Sequence, residues 1–199
     1  MTAAFARLQR AENSLMAGLV DTVGVDWILE LAPVHSPSPI IHVPRHRMLL
    51  GEDGWVWPFR CLPAELPFAD EDLPAIMIRH MFWLPTGTSI LRDALRCLKP
   101  GGLLISVSAN PWHRLSWNEL GRAAFRLPAW PRFLMQHAGL GLQLQIPVRY
   151  HWTGVLPGVS PVLMVVARKP ARAIRIRRPD FSRKHISIGT APASGCRAA

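Results

Sequence analysis

Cysteine is scarce in this chain: Cys61, Cys97 and Cys196 are the only three in 199 residues, and no two form a C-x-x-C pair. That excludes a disulfide framework and offers no zinc-ligand spacing, and a reducing, cytoplasmic setting is the simplest expectation. Long apolar runs are also missing. The longest uncharged stretch, Trp152 to Ala167, is broken by Gly154, Pro157, Gly158 and Pro161, and it falls short of the roughly 20 residues a membrane-spanning helix requires. No transmembrane segment is expected. The N-terminal stretch mixes Arg7, Arg10, Glu12 and Asp21 with its apolar residues, so no export signal is visible. There is no G-x-S-x-G, no phosphate-binding loop and no Cys/His nucleophile pattern. His42 and His46 stand four apart, but Pro44 between them excludes the helix that would align them, and no metal is assigned.

Acidic residues are few, 13 against 23 Lys and Arg, and the imbalance is local. Residues 168–199 hold nine Lys or Arg and one acid, Asp180, which makes this stretch +8 of the chain's +10. The segment is poor in large apolar residues after Ile176, and such composition predicts a disordered basic tail over 170–199. A tail of this charge attracts polyanions, either nucleic acid or an anionic membrane surface. The remaining 1–169 reads as one domain, and a 49% apolar share is enough to build its core.

Within that domain, Phe5, Leu8, Leu15, Met16 and Leu19 recur at helical spacing and predict an amphipathic helix over 3–20 that covers a sheet edge or face. Trp27 to Leu31 reads as a strand. Four prolines between 33 and 44 make a helical crossover after it improbable, so the first crossover is expected to be shortened or replaced by a loop. Trp55 to Leu62 is a strand candidate, L-P-F-A-D-E-D a turn, and Ala75 to Ile78 a central strand buried on both faces. A helix is predicted over 86–99, capped by Thr88 or Ser89 and stopped by Lys99-Pro100-Gly101-Gly102, followed by a buried strand from Leu103 to Ser108. Residues 116–127 and 130–138 are helix candidates, and Leu142 to Trp152 with Val162 to Ala167 read as a closing strand pair. The fold class is therefore α/β, a mostly parallel sheet with a C-terminal antiparallel hairpin.

The segment L-P-F-A-D-E-D followed by A-I-M-I-R-H, a helix, L-K-P-G-G and L-L-I-S-V-S-A-N-P-W resembles the C-terminal half of the type 11 methyltransferase domain. The likeness covers about residues 26–167 and is specific between 66 and 112; the turn Ser108 to Trp112 is similar to that of a bacterial branch that also carries a basic C-terminal extension. The resemblance implies a Rossmann-like class I methyltransferase sheet, S-adenosylmethionine as cofactor and an unidentified methyl acceptor. In the family an acidic residue ends the first strand before a glycine-rich loop. Glu30 keeps the acidic place, while Leu31 to His35 contain no glycine. The family's adenine-binding Asp and the backbone N–H after it fall on Leu62 and Pro63, and Glu52 or Asp53 are candidates by position for the ribose hydroxyls.

Ligands of open parallel sheets bind at the strand ends. Glu30, Arg79 and His80 are accordingly the candidate cofactor residues, and Asn110, Trp112 and His113 the candidate acceptor pocket. Each has a plainer alternative: an ion pair for Glu30, a hydrogen-bonded structural role for His80, a turn starter for Asn110. Seven of the eight tryptophans, which fall near expected strand ends and helix starts, could stack an aromatic or lipid-like acceptor or simply pack the core. Two functions stay open at this point, a methyltransferase and a catalytically inactive binding or scaffold module of the same fold.

Overall fold

In the computed structural model, residues 7–13, 15–16, 24–34, 36–63, 65–82, 84–121, 127, 143–145 and 160–171 are described. The expected helix at 130–138 and the basic tail beyond 171 lie outside them. Among the described residues, seven strands form one sheet: β1 (Ile28–Pro33), β2 (Arg45–Leu50), β3 (Trp55–Trp57), β4 (Leu73–Arg79), β5 (Leu98–Ala109), β6 (Gln143–Gln145) and β7 (Val162–Arg168), in the order β3-β2-β1-β4-β5-β7-β6. Strands β2, β1, β4 and β5 are parallel neighbours; β3 runs against β2, and β7 runs against both β5 and β6. The closing pair is antiparallel as the sequence implied, and its second strand inserts next to β5 so that β6 takes the edge.

The period-2 alternation of the strands divides the core between two faces. One carries Leu29, Leu31, Met48, Ile76, Ile78, Leu104, Leu163 and Val165, and packs against helix α2 (Gly87–Cys97) through Ile90, Leu91, Ala94 and Cys97. The other carries Ile28, Ala75, Met77, Ile105 and Val107, covered by helix α1 (7–13 with 15–16) through Leu8, Leu15 and Met16. Central strands with apolar residues on both faces have to be covered twice, which is why the runs at β1, β4 and β5 are continuous rather than alternating.

The first crossover, 34–44, has no helix among its described residues. A loop in that place leaves carbonyls that a helix would have paired internally. Side chains satisfy them instead: Arg79 Nη1 donates to Pro37 O at 2.8 Å, Arg47 Nη2 to Ser36 O at 3.0 Å, Arg45 Nη1 to Pro39 O, and Gln9 Nε2 of α1 to Ser38 O at 3.1 Å.

Three local expectations need correction. The strand at Trp55 stops at Trp57, because Pro58 has no N–H to continue the ladder; the chain returns only for a single bridge between Trp55 and Cys61. Helix α2 begins after Thr86, with no side-chain cap, and the Ser89 hydroxyl donates back to Thr86 O at 2.7 Å. Lys99 to Gly102 does not stop the helix. It belongs to β5, where a register irregularity opposite Leu73 to Ala75 takes up the extra residues and Gly101 adopts φ 76°.

Candidate functional site

Two constellations lie near the carboxyl ends of the parallel strands. The first is a buried charge cluster on the α1 face. Leu8, Glu12 and Met16 stand at i, i+4 and i+8, so the Glu12 carboxylate sits in the middle of the helix's apolar stripe. Arg79, in phase with Ala75 and Met77 on β4, meets it there. Its Nε and Nη2 donate to the two oxygens of Glu12, and its Nη1 donates to Glu30 Oε1 at 2.7 Å. Glu30 and Arg79 are both 0% exposed. Glu30 pairs in register with Arg47 across β1 and β2, and the Arg47 Nε lies 3.0 Å from Glu30 Oε2, with Arg45 Nε at 3.7 Å. His80 follows at the end of β4 with φ 50°, its N–H donating to Val107 O and its Nε2 lying 3.2 Å from Glu12 Oε2.

Burial pushes the Glu12 carboxyl upward, but the opposing charges of His80 and Arg79 and their hydrogen bonds outweigh it and hold the group at about 2. Burial also lowers Arg45, with Glu30 opposing that shift. For Arg79, burial acts downward, and the two carboxylates prevail and raise it. The cluster thus sets two carboxylates against three arginines and joins α1, β1, β2, β4 and the proline-rich crossover.

The second constellation is a cleft of about 430 Å³ at the carboxyl ends of β1 and β2. Pro33 and Val34 at the end of β1, Leu50, Gly51 and Glu52 at the end of β2, Pro63, and Leu84 to Thr86 ahead of α2 form its walls. Its volume is within the roughly 300–1,000 Å³ range of small-molecule sites. Pro63 is placed by its neighbours: Trp55, 1% exposed, donates its indole N–H to Pro63 O at 3.1 Å. The turn between β2 and β3 that carries Glu52 is closed by Gly51 N–H to Gly54 O at 2.8 Å. Gly54 has φ 148°, and a Cβ there would meet Cys61 O at 2.5 Å, so the turn requires glycine at this point.

Compared with known proteins, the sequence matches neither a protein-family model nor a curated protein. The structure does match. A SAM-dependent methyltransferase from Aquifex aeolicus superposes with a TM-score of 0.56 at 12% identity, covering 82% of this chain and 92% of that one. A SAM-dependent methyltransferase from Thermotoga maritima gives 0.51 at 13% identity over the same shares. The fold is that of the Rossmann-like methyltransferases.

On this methyltransferase fold the sequence-predicted residues separate into three places. Glu30, Arg79 and His80 come together, but in the buried cluster and not among the residues that wall the cleft. Asn110 is 0% exposed and holds a turn: its Nδ2 donates to Ser160 O at 2.8 Å and its Oδ1 accepts from Trp112 N. The His113 ring accepts from Leu115 N at 3.1 Å and caps helix α3 (Arg114–Leu120), while Trp112 stands 55% exposed beside it. Of the two positional candidates for ribose, Glu52 lines the cleft. Glu12, Arg45 and Arg47 were not singled out from the sequence. Their signals were a carboxylate at a buried helical spacing and two arginines at period 2 opposite Glu30 in the neighbouring strand.

Proposed function

We propose that this chain is an S-adenosylmethionine-dependent methyltransferase of the type 11 kind, acting on an unidentified acceptor, and that the 430 Å³ cleft is its cofactor site. The observation that carries this reading is the position of the cleft: it opens at the carboxyl ends of adjacent parallel strands, where open α/β sheets bind ligands, and it holds an exposed carboxylate, Glu52. The adenosyl end of the cofactor fits these residues. Pro63, Leu50, Leu84 and Pro85 offer apolar surface to a purine ring, and Glu52 offers two acceptor oxygens to the ribose hydroxyls. When bound, S-adenosylmethionine supplies an electrophilic methyl group. The part of the protein is then to hold the nucleoside and orient the reacting partners in a site shielded from water.

The second reading, an inactive module of the same fold, is favoured by one observation: Glu30, the carboxylate at the first strand, is fully buried among three arginines and has no exposed surface. Isothermal titration with S-adenosylmethionine followed by an acceptor screen separates the two. Saturable binding that Glu52→Ala weakens supports the cofactor site, and methyl transfer to any acceptor class supports the enzyme. Binding without transfer to any acceptor favours the module, and absence of binding at millimolar ligand removes the cofactor site itself. The +8 charge of residues 168–199 further supports attraction to polyanions, which retention on a heparin column with and without this stretch would test.

A further inference from the structure

Large apolar side chains on a folded surface are ordinary when scattered and informative when they cluster. Of the eight that are exposed among the described residues, four fall in seven consecutive positions: Val56, Trp57, Phe59 and Leu62, the last three 61%, 58% and 59% exposed. Val56 and Trp57 are neighbours in β3 and so point to opposite faces of the sheet, yet both are exposed. The end of β3 and the turn that follows therefore stand clear of the layers that cover the sheet. Another strand finds little to pair with here. Trp55 N–H donates to Cys61 O at 2.9 Å, Cys61 N–H donates to Trp55 O at 3.4 Å, and Pro58 has no N–H, so the outer edge of β3 is closed by its own return. What the turn presents is side chains. Between Asp53 and Glu65 the only charged residue is Arg60, which is exposed next to Phe59.

We propose that residues 56–62 are a lipid-contact site by which the protein docks on an anionic membrane surface. Trp and Phe beside an arginine form the composition that seats at the boundary of headgroups and acyl chains, the rings in the apolar layer and the guanidinium among the phosphates. Peripheral attachment is strongest where an apolar insertion and a basic charge act together. The chain carries a net charge of +10, opposite in sign to such a surface, and +8 of it lies in residues 168–199. The acids nearest in sequence stand outside the exposed segment: Glu52 and Asp53 are in the turn at the other end of β3, and Glu65 follows Pro63 by two residues. The electrostatic part of the docking rests on the polyanion attraction proposed above. The apolar turn goes beyond it by selecting lipid over nucleic acid, because Val56 and Leu62 have no π face to stack on a base and gain only from an apolar medium.

The test is co-flotation of the full chain with vesicles of phosphatidylcholine alone and of phosphatidylcholine with an equal share of phosphatidylglycerol, repeated with the double variant Trp57→Ser, Phe59→Ser. The expected result is binding to the anionic vesicles that the double variant weakens by about tenfold or more, while both proteins are retained equally on heparin. Trp57→Phe keeps a ring at the site and should still bind, and lipids brominated in their acyl chains should quench the tryptophan fluorescence of the wild type more than that of this variant. Vesicle binding by the double variant within about threefold of the wild type would overturn the site and leave the polyanion attraction standing. A wild-type chain retained on heparin that binds neither kind of vesicle would do the same, and one that binds neither heparin nor vesicles would overturn both readings. Equal weakening of heparin and vesicle binding in the double variant would overturn the site as well, since heparin has no acyl chains. Tighter binding to single-stranded RNA than to vesicles, with the same sensitivity to Trp57 and Phe59, would assign the turn to base stacking and overturn it. Trp57 and Phe59 are exposed, so the variants are expected to fold, and their circular dichroism spectra check that they have.

Discussion

Substituting Arg79 by Met removes a guanidinium that is 0% exposed and leaves two buried carboxylates facing it. Glu30 keeps Arg47 at 3.0 Å, but Glu12 loses both hydrogen bonds from Arg79 and retains only His80. Breaking one partner out of a buried ion pair costs about 3–5 kcal/mol, because the charge left behind loses that partner without regaining water. The whole set of Glu12's partners, His80 and Arg79 together, also appears in the pH dependence. The Glu12 carboxyl is held at about 2 against an ordinary 4.5. The native state therefore prefers the ionised form more strongly than the unfolded chain does. This stabilisation is complete above pH 4.5 and is lost as pH falls from 4.5 through 2, and at about 1.4 kcal/mol per pH unit it amounts to about 3 kcal/mol. Urea unfolding followed by tryptophan fluorescence, with linear extrapolation, should show Arg79→Met less stable by about 3–5 kcal/mol at pH 7, and the loss on going to low pH should be smaller in the variant than in the wild type. A variant within about 1 kcal/mol of wild type, or one with an unchanged acid-side loss, would refute the reasoning, since the typical cost of an uncompensated buried charge is several times larger.

Three other outcomes follow from the packing. Gly54→Ala should lower the melting temperature, because φ 148° and a Cβ 2.5 Å from Cys61 O are incompatible with the native turn; differential scanning calorimetry reads the shift, and an unchanged midpoint would contradict the geometry. Trp55→Phe keeps the ring in the core but leaves Pro63 O without its donor, at a cost of about 1–3 kcal/mol, with weaker ligand binding as Pro63 loosens. Burial pushes the Cys97 thiol up to about 11, so at pH 8 it stays protonated and enclosed; mass-spectrometric mapping should find it unalkylated in the native protein and modified only after denaturation.

Much of the scaffold was legible from local pattern. Strands β1, β4, β5 and β7 are continuous apolar runs, and α2 shows its stripe through Ile90, Leu91 and Ala94, so their type follows from periodicity. Proline density foretold the missing first crossover helix, because the ring removes both the donor and the helical geometry. The boundaries were less legible. Gly101 and Gly102 read as a stop but sit inside β5, where Gly101 N–H donates to Lys169 O and Lys169 N–H to Gly102 O just past the end of β7. The charge cluster was only half visible. Glu30 and Arg79 stand out as charges in or beside apolar runs, whereas their third partner, Glu12, lies 67 residues before Arg79 in sequence and is found only when α1 is laid on the sheet. The cleft walls are prolines and leucines without a motif, and it is their placement around Glu52 that gives them meaning.

The most direct measurement is a crystal structure of the full chain with S-adenosylhomocysteine. The account predicts density for the adenosyl group between Pro63 and Leu84, with the ribose hydroxyls at hydrogen-bond distance from Glu52 and the Glu30–Arg79 pair unbroken. Density elsewhere on the protein, or a ligand carboxylate that displaces Glu30 from Arg79, would contradict it.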